Sequence, residues 1–259
     1  MADGGAGADA APYCGIVLTT HKDHWTTVLR ACLESIVAHA PRPLLLCLMG
    51  NETAPSIETR ARELCAGHER LELRFKRYAT QEGGLTRTWN DGLATAIAAG
   101  CGSIMLLNHD TVLDRNCVHL FREALSFNGL VGPVSDNPGV APPFKAQTLE
   151  RYDRAEAARG RSVVADYPVE GPRGLNGFCM TASVATWRAN MFDATLYFNP
   201  AFPWGWNECD WNERFARRLG AAAKFRVVRT ALVMHSKRAD WRKIDPDYMA
   251  RRHKGAGGK

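Results

Sequence analysis

The sequence has no apolar run long enough to cross a bilayer. A transmembrane helix needs about 18 or more consecutive apolar residues, and every apolar run in this chain is shorter than that. The opening segment, residues 1–12, consists of small and weakly acidic residues, and it has neither the basic region nor the apolar region of a secretory signal. We therefore predict a chain without a membrane span, in which residues 1–12 form a disordered leader.

Closely spaced cysteine pairs are also missing. The gaps between the eight cysteines are too wide for a CxxC pair or a zinc ribbon. Several of them fall in apolar stretches, where a free thiol behaves as a small hydrophobic side chain. This usage predicts free thiols in a reducing, cytoplasmic compartment. The cysteines are Cys14, Cys32, Cys47, Cys65, Cys101, Cys117, Cys179 and Cys209.

Positive charge is concentrated near the end of the sequence. The composition is that of an ordinary globular protein, with 46% hydrophobic and 23% charged residues and a formal net charge of +6. Between Ser236 and Lys259, eight Lys or Arg residues face three Asp residues, a net of +5. The basic tail, residues 239–259, is either a solvated end or a peripheral contact with an anionic membrane face. Specific nucleic-acid binding is not expected, because the tail lacks interleaved aromatic and basic residues.

Apolar strands and amphipathic helical patterns alternate along the chain up to residue 125. Such alternation predicts an α/β fold, with a mostly parallel sheet flanked by helices, in a single domain over residues 13–238. Residues 135–173 interrupt the pattern with Pro, Gly and one polar helix near 148–159, and they predict an inserted lid. The predicted strands are 15–20, 44–49, 71–75, 103–107, 130–134, 176–181 and 225–234, and the main predicted helices begin near 25, 55, 86, 115 and 208.

A polar triplet, Asn108, His109 and Asp110, directly follows the apolar run that begins at Ser103. Ligands of open α/β sheets bind just beyond the carboxyl ends of the strands. Asp110 therefore lies where a catalytic or metal-binding carboxylate is expected. The alternative is that Asn108 and Asp110 cap a turn before the helix near Arg115.

Three other polar clusters have comparable positions, at residues 20–22, 207–214 and 235–238. A parallel sheet brings the clusters that follow strands to one edge, where they meet. His235, after the last predicted strand, has the alternative of being a satisfied histidine at a strand end.

These motifs resemble those of the family 2 nucleotide-sugar glycosyltransferases of the GT-A fold, over roughly residues 14–238. The triplet at 108–110 resembles the DxD-type motif, and the segment GLTRTWNDG at 84–92 resembles the N-x-G hallmark that precedes it. The segment NECDWNER at 207–214 resembles a later ED-x-D-x-x-x-R pattern, and the family often has a histidine where His235 stands.

The resemblance implies transfer of a sugar, with inversion, from a nucleotide-diphosphate donor to a hydroxyl group on a glycan, glycoprotein or lipid-linked acceptor. It implies Mn²⁺ or Mg²⁺ as cofactor, held by Asp110 with His235, to stabilise the departing diphosphate. It also implies that Glu208 is the general base, with Asp210 as the second candidate. The alternative is that both carboxylates only complement the helix dipole and that Arg214 pairs with Asp210.

The remaining predicted site residues fall into a donor set and an acceptor set. Trp204 and Trp206 precede the helix that carries the predicted base, and aromatic faces stack on sugar rings, although tryptophan also buries as ordinary core. Arg87, Lys237 and Arg238 either contact phosphates or lie on a solvated surface. The donor set is Thr20, His21, Asn51, Arg87, Asn90, Asn108, His109 and Asp110, and the acceptor set is Asn176, Trp204 and Trp206.

The sequence differs from the family pattern in three places. Asn51 or Glu52 stands where the second strand usually ends in Asp, the triplet has one carboxylate, and Asn207-Glu208 replaces the Glu-Asp pair. A single carboxylate predicts weaker metal binding. The alternative function is an inactive relative that binds a glycan or nucleotide without turnover. A sugar nucleotidyltransferase would need a Gly-rich, Arg-containing phosphate loop after the first strand, and TTHKDHW is not such a loop.

Overall fold

The structure is a computed structural model that describes residues 13–80, 82–138 and 146–235. The strands are β1 (Tyr13–His21), β2 (Leu44–Asn51), β3 (Leu71–Tyr78), β4 (Cys101–Asn108), β5 (Thr111–Leu113), β6 (Leu130–Val134), β7 (Val164–Pro168), β8 (Cys179–Ser183) and β9 (Lys224–His235). The α-helices are α1 (Arg30–His39), α2 (Pro55–Cys65), α3 (Gly84–Ala98), α4 (Val118–Ser126), α5 (Arg154–Ala158), α6 (Val184–Ala189) and α7 (Asn207–Leu219).

One half of the sheet is parallel and runs in the order β3-β2-β1-β4. Its inner strands are continuous apolar runs because helices cover both faces, and every residue of β2 is buried. The register pairs His21 with Asn51 and Thr19 with Asn108. The carboxyl ends of β1, β2 and β4 therefore lie side by side, as predicted.

The other half of the sheet is mixed. Strand β8 runs antiparallel between β4 and β6, β6 pairs in parallel with β9, and β5 and β7 each pair antiparallel with β9. The predicted fold class, an α/β fold with a mostly parallel sheet flanked by helices, is confirmed. Because the two antiparallel steps around β8 cancel, β9 points the same way as β4, and His235 at its end reaches the same edge of the sheet.

Each face of the sheet carries its own hydrophobic core. Helices α3 and α7 cover one face, where Trp89, Trp187 and Trp211 are almost completely buried. Helices α1, α2 and α4 cover the other face. All eight cysteines are free thiols, six of them buried, as the sequence predicts. None of the helices within the described ranges is long and apolar enough to cross a membrane.

The segment predicted as a lid, residues 135–173, is partly built into the sheet. Its predicted helix near 148–159 is divided into a 3-10 turn, Leu149–Arg151, and the short helix α5. The division occurs because the Asp153 side chain accepts a hydrogen bond from the Glu156 N–H and starts a new helix. Strand β7 then adds to the sheet edge. The lid role and the domain limits stay predictions, and the leader, residues 1–12, and the tail, 239–259, lie outside the described residues.

Candidate active site

Asp110 and His235 meet at the carboxyl edge of the sheet. The distance from His235 Nε2 to Asp110 Oδ2 is 3.4 Å, and Asp110 is only 4% exposed. Strand β5 starts one residue after Asp110 and pairs Thr111 with His235, and this pairing brings the two side chains together. Among the described residues, Oδ1 of Asp110 is buried without a hydrogen-bond partner.

The two groups of this pair shift each other's pKa. Burial alone raises the pKa of Asp110, but the hydrogen bond and charge of His235 outweigh it, so the pKa is lower than usual. Burial alone lowers the pKa of His235, but the hydrogen bond and charge of Asp110 reverse this and raise it. Each group therefore favours the charged form of the other when no cation lies between them.

Residues at the start of the predicted lid fix the position of His235. Its Nδ1 lies 3.0 Å from the Asn137 carbonyl oxygen, and its backbone N–H donates to Asp136 Oδ1 at 2.8 Å. The ring stacks on Phe178, with centroids 4.7 Å apart. Because a carbonyl only accepts, Nδ1 carries a proton and Nε2 is the nitrogen that faces Asp110. Asp136 and Asn137 were not among the predicted site residues, although an Asp-Asn pair one residue beyond the end of strand β6 was a usable signal.

The residues present fit the divalent cation that the resemblance implies. Oδ1 of Asp110 is a buried acceptor without a partner in the described part of the chain, which a cation would satisfy. His235 already has the carbonyl support that metal-bound histidines usually have on their other nitrogen. One carboxylate and one imidazole are a sparse set, so nucleotide phosphates and water would have to supply the remaining ligands.

His21 and His109 lie at the same carboxyl edge of the sheet, and both are buried. Nδ1 of His109 lies 3.0 Å from the Thr19 carbonyl oxygen. Burial lowers the pKa of His109 to about 3, in spite of the nearby Asp110 charge, which raises it. His109 is thus neutral at physiological pH. The ring centroids of His21 and His109 are 6.0 Å apart.

Asn51 and Arg87 form a polar corner at the end of β2. Nη2 of Arg87 donates to Asn51 Oδ1 at 3.3 Å and to the Thr80 carbonyl oxygen at 2.6 Å. The guanidinium also lies 4.2 Å above the Tyr78 ring, a cation–π contact. The structure therefore brings these two predicted donor residues together. Thr20 is buried at the end of β1, and Asn108 ends β4 next to it.

The side chain of Asn90 contacts the protein's own backbone. Its Oδ1 accepts from the N–H groups of Tyr197 and Phe198, at 2.9 and 2.8 Å, and its Nδ2 donates to the Phe198 carbonyl oxygen at 3.0 Å. These three bonds hold the loop before α7 against α3. Asn90 therefore supports that loop. None of its described hydrogen bonds is to Asp110 or His235.

Glu208 lies in the first turn of α7, where the helix dipole favours a carboxylate. The helix start is held by Asn207, whose Nδ2 donates to Thr86 Oγ1 at 3.2 Å and whose Oδ1 accepts from the Glu208 N–H. Gly177 packs beside it, because a β-carbon there would lie 3.3 Å from Cδ of Glu208 and 2.9 Å from the Trp89 ring. Gly177 was not among the predicted site residues, and in the sequence it stands out only as the residue after Asn176.

Asp210 has a different environment from Glu208. Its Oδ2 accepts from Arg214 Nε at 2.9 Å, and both side chains are only 15% exposed. Arg214 also donates to the carbonyl oxygens of Asn190 and Tyr197. The pairing of Arg214 with Asp210, considered as an alternative from the sequence, is present in the structure.

The predicted acceptor residues surround the start of α7. Trp204 packs against Gly84 at the start of α3, so closely that a β-carbon on Gly84 would clash with the indole ring. Trp206 is 51% exposed and has a φ of 66°, a conformation that is rare for a bulky residue. Nδ2 of Asn176 donates to the Pro138 carbonyl oxygen at 2.9 Å. The predicted phosphate contacts Lys237 and Arg238 lie outside the described residues.

Solved structures resemble this fold at low sequence identity. GalNAc-T7 with UDP, GalNAc and Mn²⁺ matches with a TM-score of 0.60 and 13% identity, over 88% of this chain and 44% of that one. S. aureus TarS 1-349 with UDP matches with a TM-score of 0.57 and 11% identity, over 95% of this chain and 65% of that one. The same protein with UDP-GlcNAc matches with a TM-score of 0.55 and 9% identity, over 88% and 59%.

The chain spans less than two thirds of the length of each of these structures. No protein-family model and no curated protein sequence matches it. At such identities the likeness establishes the architecture, and the chain has a GT-A-like glycosyltransferase fold.

Proposed function

We propose that this chain transfers a sugar from a nucleotide-diphosphate donor to a hydroxyl group of an acceptor, with inversion and with the help of a divalent cation. A fold alone permits several functions. The observation that carries the proposal is the pair formed by buried Asp110 and partly buried His235 at the carboxyl edge of the sheet, in which Oδ1 of Asp110 has no hydrogen-bond partner among the described residues. Proteins of similar fold have been solved with UDP, a UDP-sugar or Mn²⁺, which supports this assignment.

Asp110 and His235 would hold Mn²⁺ or Mg²⁺. The cation would neutralise charge on the departing diphosphate. The nucleotide would lie over the ends of β1, β2 and β4, where Thr20, Asn51 and Asn108 are side by side. Arg87 adds a positive charge to this corner, and its Nε is a buried donor without a partner among the described residues.

Glu208 is proposed as the general base. The acceptor oxygen attacks the anomeric carbon while the bond from that carbon to the diphosphate oxygen breaks. The acceptor proton goes to the Glu208 carboxylate, and the bonding electrons leave with the diphosphate. Asp210 is the second candidate, and its carboxylate is paired with Arg214. Attack from the side opposite the leaving group gives inversion.

Trp206, with Trp204 and Asn176, is proposed to form the acceptor site. Trp206 is largely exposed and holds a strained backbone conformation one residue before α7. Strain of this kind clusters at functional sites. An exposed indole two residues before Glu208 could stack on the sugar ring of a glycan, glycoprotein or lipid-linked acceptor.

Thermal unfolding with UDP, GDP, dTDP and CDP, each with and without Mn²⁺, tests the donor site. A ligand at a hundred times its dissociation constant stabilises by about 2.7 kcal/mol, which raises the midpoint by roughly 5 to 11 °C in a chain of this size. We expect such a shift with one nucleotide, only with Mn²⁺, and its loss in Asp110→Ala. The matched control is Glu69→Ala, which removes an exposed carboxylate that lies far from Asp110 and His235 in the sequence.

Two results would contradict parts of the proposal. A nucleotide shift that is the same without Mn²⁺ and in Asp110→Ala would remove the cation from the mechanism. No shift with any of the four nucleotides would remove the donor site itself.

A further inference from the structure

We propose that His21, His24 and His109 form a second metal site, distinct from the Asp110–His235 pair, that takes Zn²⁺ or a similar transition-metal ion. One imidazole nitrogen from each of the three lies within 4.8 Å of the other two, and all three residues are buried. This inference does not rest on the proposed transferase function.

The fold places the three rings together for identifiable reasons. His21 ends β1, and His109 follows the adjacent strand β4, so parallel pairing puts them at neighbouring strand ends. The chain then turns at Lys22, which has a φ of 51° and donates its N–H to the Asn51 carbonyl oxygen. This turn brings His24 back over the strand ends. The carbonyl oxygen of His24 accepts the N–H groups of Val28 and Leu29 and is thereby fixed.

The geometry of the rings suits shared coordination. The centroids of His24 and His109 are 5.4 Å apart, and those of His21 and His24 are 4.9 Å apart. Zinc binds imidazole nitrogen at about 2.0–2.1 Å, so nitrogens in a tetrahedral site are roughly 3.4 Å from each other. With nitrogens up to 4.8 Å apart, binding would draw them together by at most about 1.4 Å.

His109 is in the state that a metal ligand requires. Its Nδ1 donates to the Thr19 carbonyl oxygen, which leaves the lone pair on Nε2 and gives the ring the support typical of metal-bound histidines.

The donor set identifies the class of metal. Imidazole nitrogens suit Zn²⁺, Cu²⁺, Ni²⁺ and Fe²⁺, whereas Mg²⁺ and Ca²⁺ prefer oxygen ligands. Three protein ligands leave the fourth position of a tetrahedral zinc ion open. The Asp110–His235 pair, with its carboxylate, suits Mn²⁺ or Mg²⁺ better, so the two sites should differ in selectivity.

The experiment is a zinc titration of tag-free protein, without nucleotide, followed by measurement of bound metal after dialysis. We expect wild type to retain about one Zn²⁺ per chain. His24→Gln should weaken binding by about 100-fold or more, because losing a direct ligand costs more than losing a supporting hydrogen bond. The matched control is His68→Gln, which changes an exposed histidine. Asp110→Asn is the second control, because it removes the carboxylate of the Asp110–His235 pair. Both should bind Zn²⁺ as wild type does.

Three results would overturn the proposal: no zinc retained by wild type, equal affinity in His24→Gln, or loss of zinc in Asp110→Asn. If His24→Gln does not fold, as judged by circular dichroism, X-ray absorption of zinc-loaded Asp110→Asn decides. A first shell dominated by imidazole nitrogen at about 2.0 Å supports the site. A shell dominated by oxygen or sulfur overturns it.

Discussion

Gly177 lies directly against Glu208, so that a β-carbon on Gly177 would stand 3.3 Å from the carboxyl carbon of Glu208. The same β-carbon would lie 2.9 Å from the Trp89 ring, which is buried and cannot move away easily. The space on this side of the proposed base therefore depends on the absence of one side chain.

Gly177→Ala should lower kcat by at least about tenfold and destabilise the protein by about 1–3 kcal/mol, because the extra methyl group overpacks the site. Gly160→Ala is the matched control. It has no neighbour within 4 Å, but its φ of 68° makes alanine cost about 1 kcal/mol there. Urea unfolding and steady-state kinetics measure both variants. Equal loss of kcat in the two variants would show that Gly177 acts only through stability.

Glu208→Gln should abolish product formation while leaving nucleotide binding intact, because glutamine keeps the shape but cannot take the acceptor proton. The expected loss in kcat is about 100-fold or more. Thermal shift with the nucleotide measures binding, and product assay measures turnover. A Glu208→Gln protein that turns over normally would contradict the base assignment, and no turnover in wild type would favour the inactive binding protein.

Asp210→Asn separates the two carboxylates of the same helix turn. It breaks the pair with Arg214, and both partners are largely buried, so we expect a loss of about 2 kcal/mol or more in unfolding free energy. Turnover at a temperature where the variant is folded should remain within about tenfold of wild type, since the base is retained. A stable but inactive Asp210→Asn would transfer the role of base from Glu208 to Asp210.

Much of the sheet was predictable from the sequence. Strands β1, β2 and β4 are continuous apolar runs, and helix α3 repeats apolar residues such as Trp89 and Leu93 every three or four positions. Short or exposed elements were not predictable: β5 has three residues, and β7 alternates only between intermediate and exposed positions. The direction of β8 was also not readable, because a buried strand looks alike in either orientation.

The candidate site, like the sheet, was predictable from the sequence only in part. The meeting of Asp110 and His235 was predictable, because both follow strands that end at one edge. The support from Asn137 was not, since it is a backbone carbonyl contact that any residue could make. The hydrogen bonds from the loop before α7 to Asn90 join residues more than a hundred positions apart in the sequence, and no local pattern reveals them.

Trp206→Gly should stabilise the protein relative to Trp206→Ala, because glycine adopts a φ of 66° without the cost that a β-carbon brings. The expected difference is about 1 kcal/mol. Both variants lack the indole, so both should raise the KM for the acceptor while leaving nucleotide binding unchanged. Urea unfolding, acceptor kinetics and nucleotide thermal shift measure these three effects. Unchanged acceptor KM in both variants would remove Trp206 from the acceptor site.

Asp114→Asn should stabilise the protein at pH 7 and lose this advantage in acid. Burial raises the pKa of Asp114, although bonds from Cys117 and from backbone N–H groups, including that of Asn116, partly oppose it. A raised carboxyl pKa gives stability that is fully present below the unfolded-state pKa of about 3.9 and is lost as pH rises through the folded-state pKa. At pH 7 the buried carboxylate is therefore a cost, which asparagine removes while keeping an acceptor oxygen.

The pH dependence of unfolding free energy between about pH 4 and 7 distinguishes this effect from a simple packing change, since one titrating group contributes a slope of at most about 1.4 kcal/mol per pH unit. The neighbours Cys117 and Tyr152 both have raised pKa values through burial, so they stay neutral over this range.

Asp193→Asn is the control of opposite sign. Backbone N–H groups of Thr195 and Leu196 lower the pKa of Asp193, so its carboxylate stabilises the fold above that pKa. A loss of stability in Asp114→Asn that does not change with pH would mean that its hydrogen bonds outweigh the cost of its buried charge.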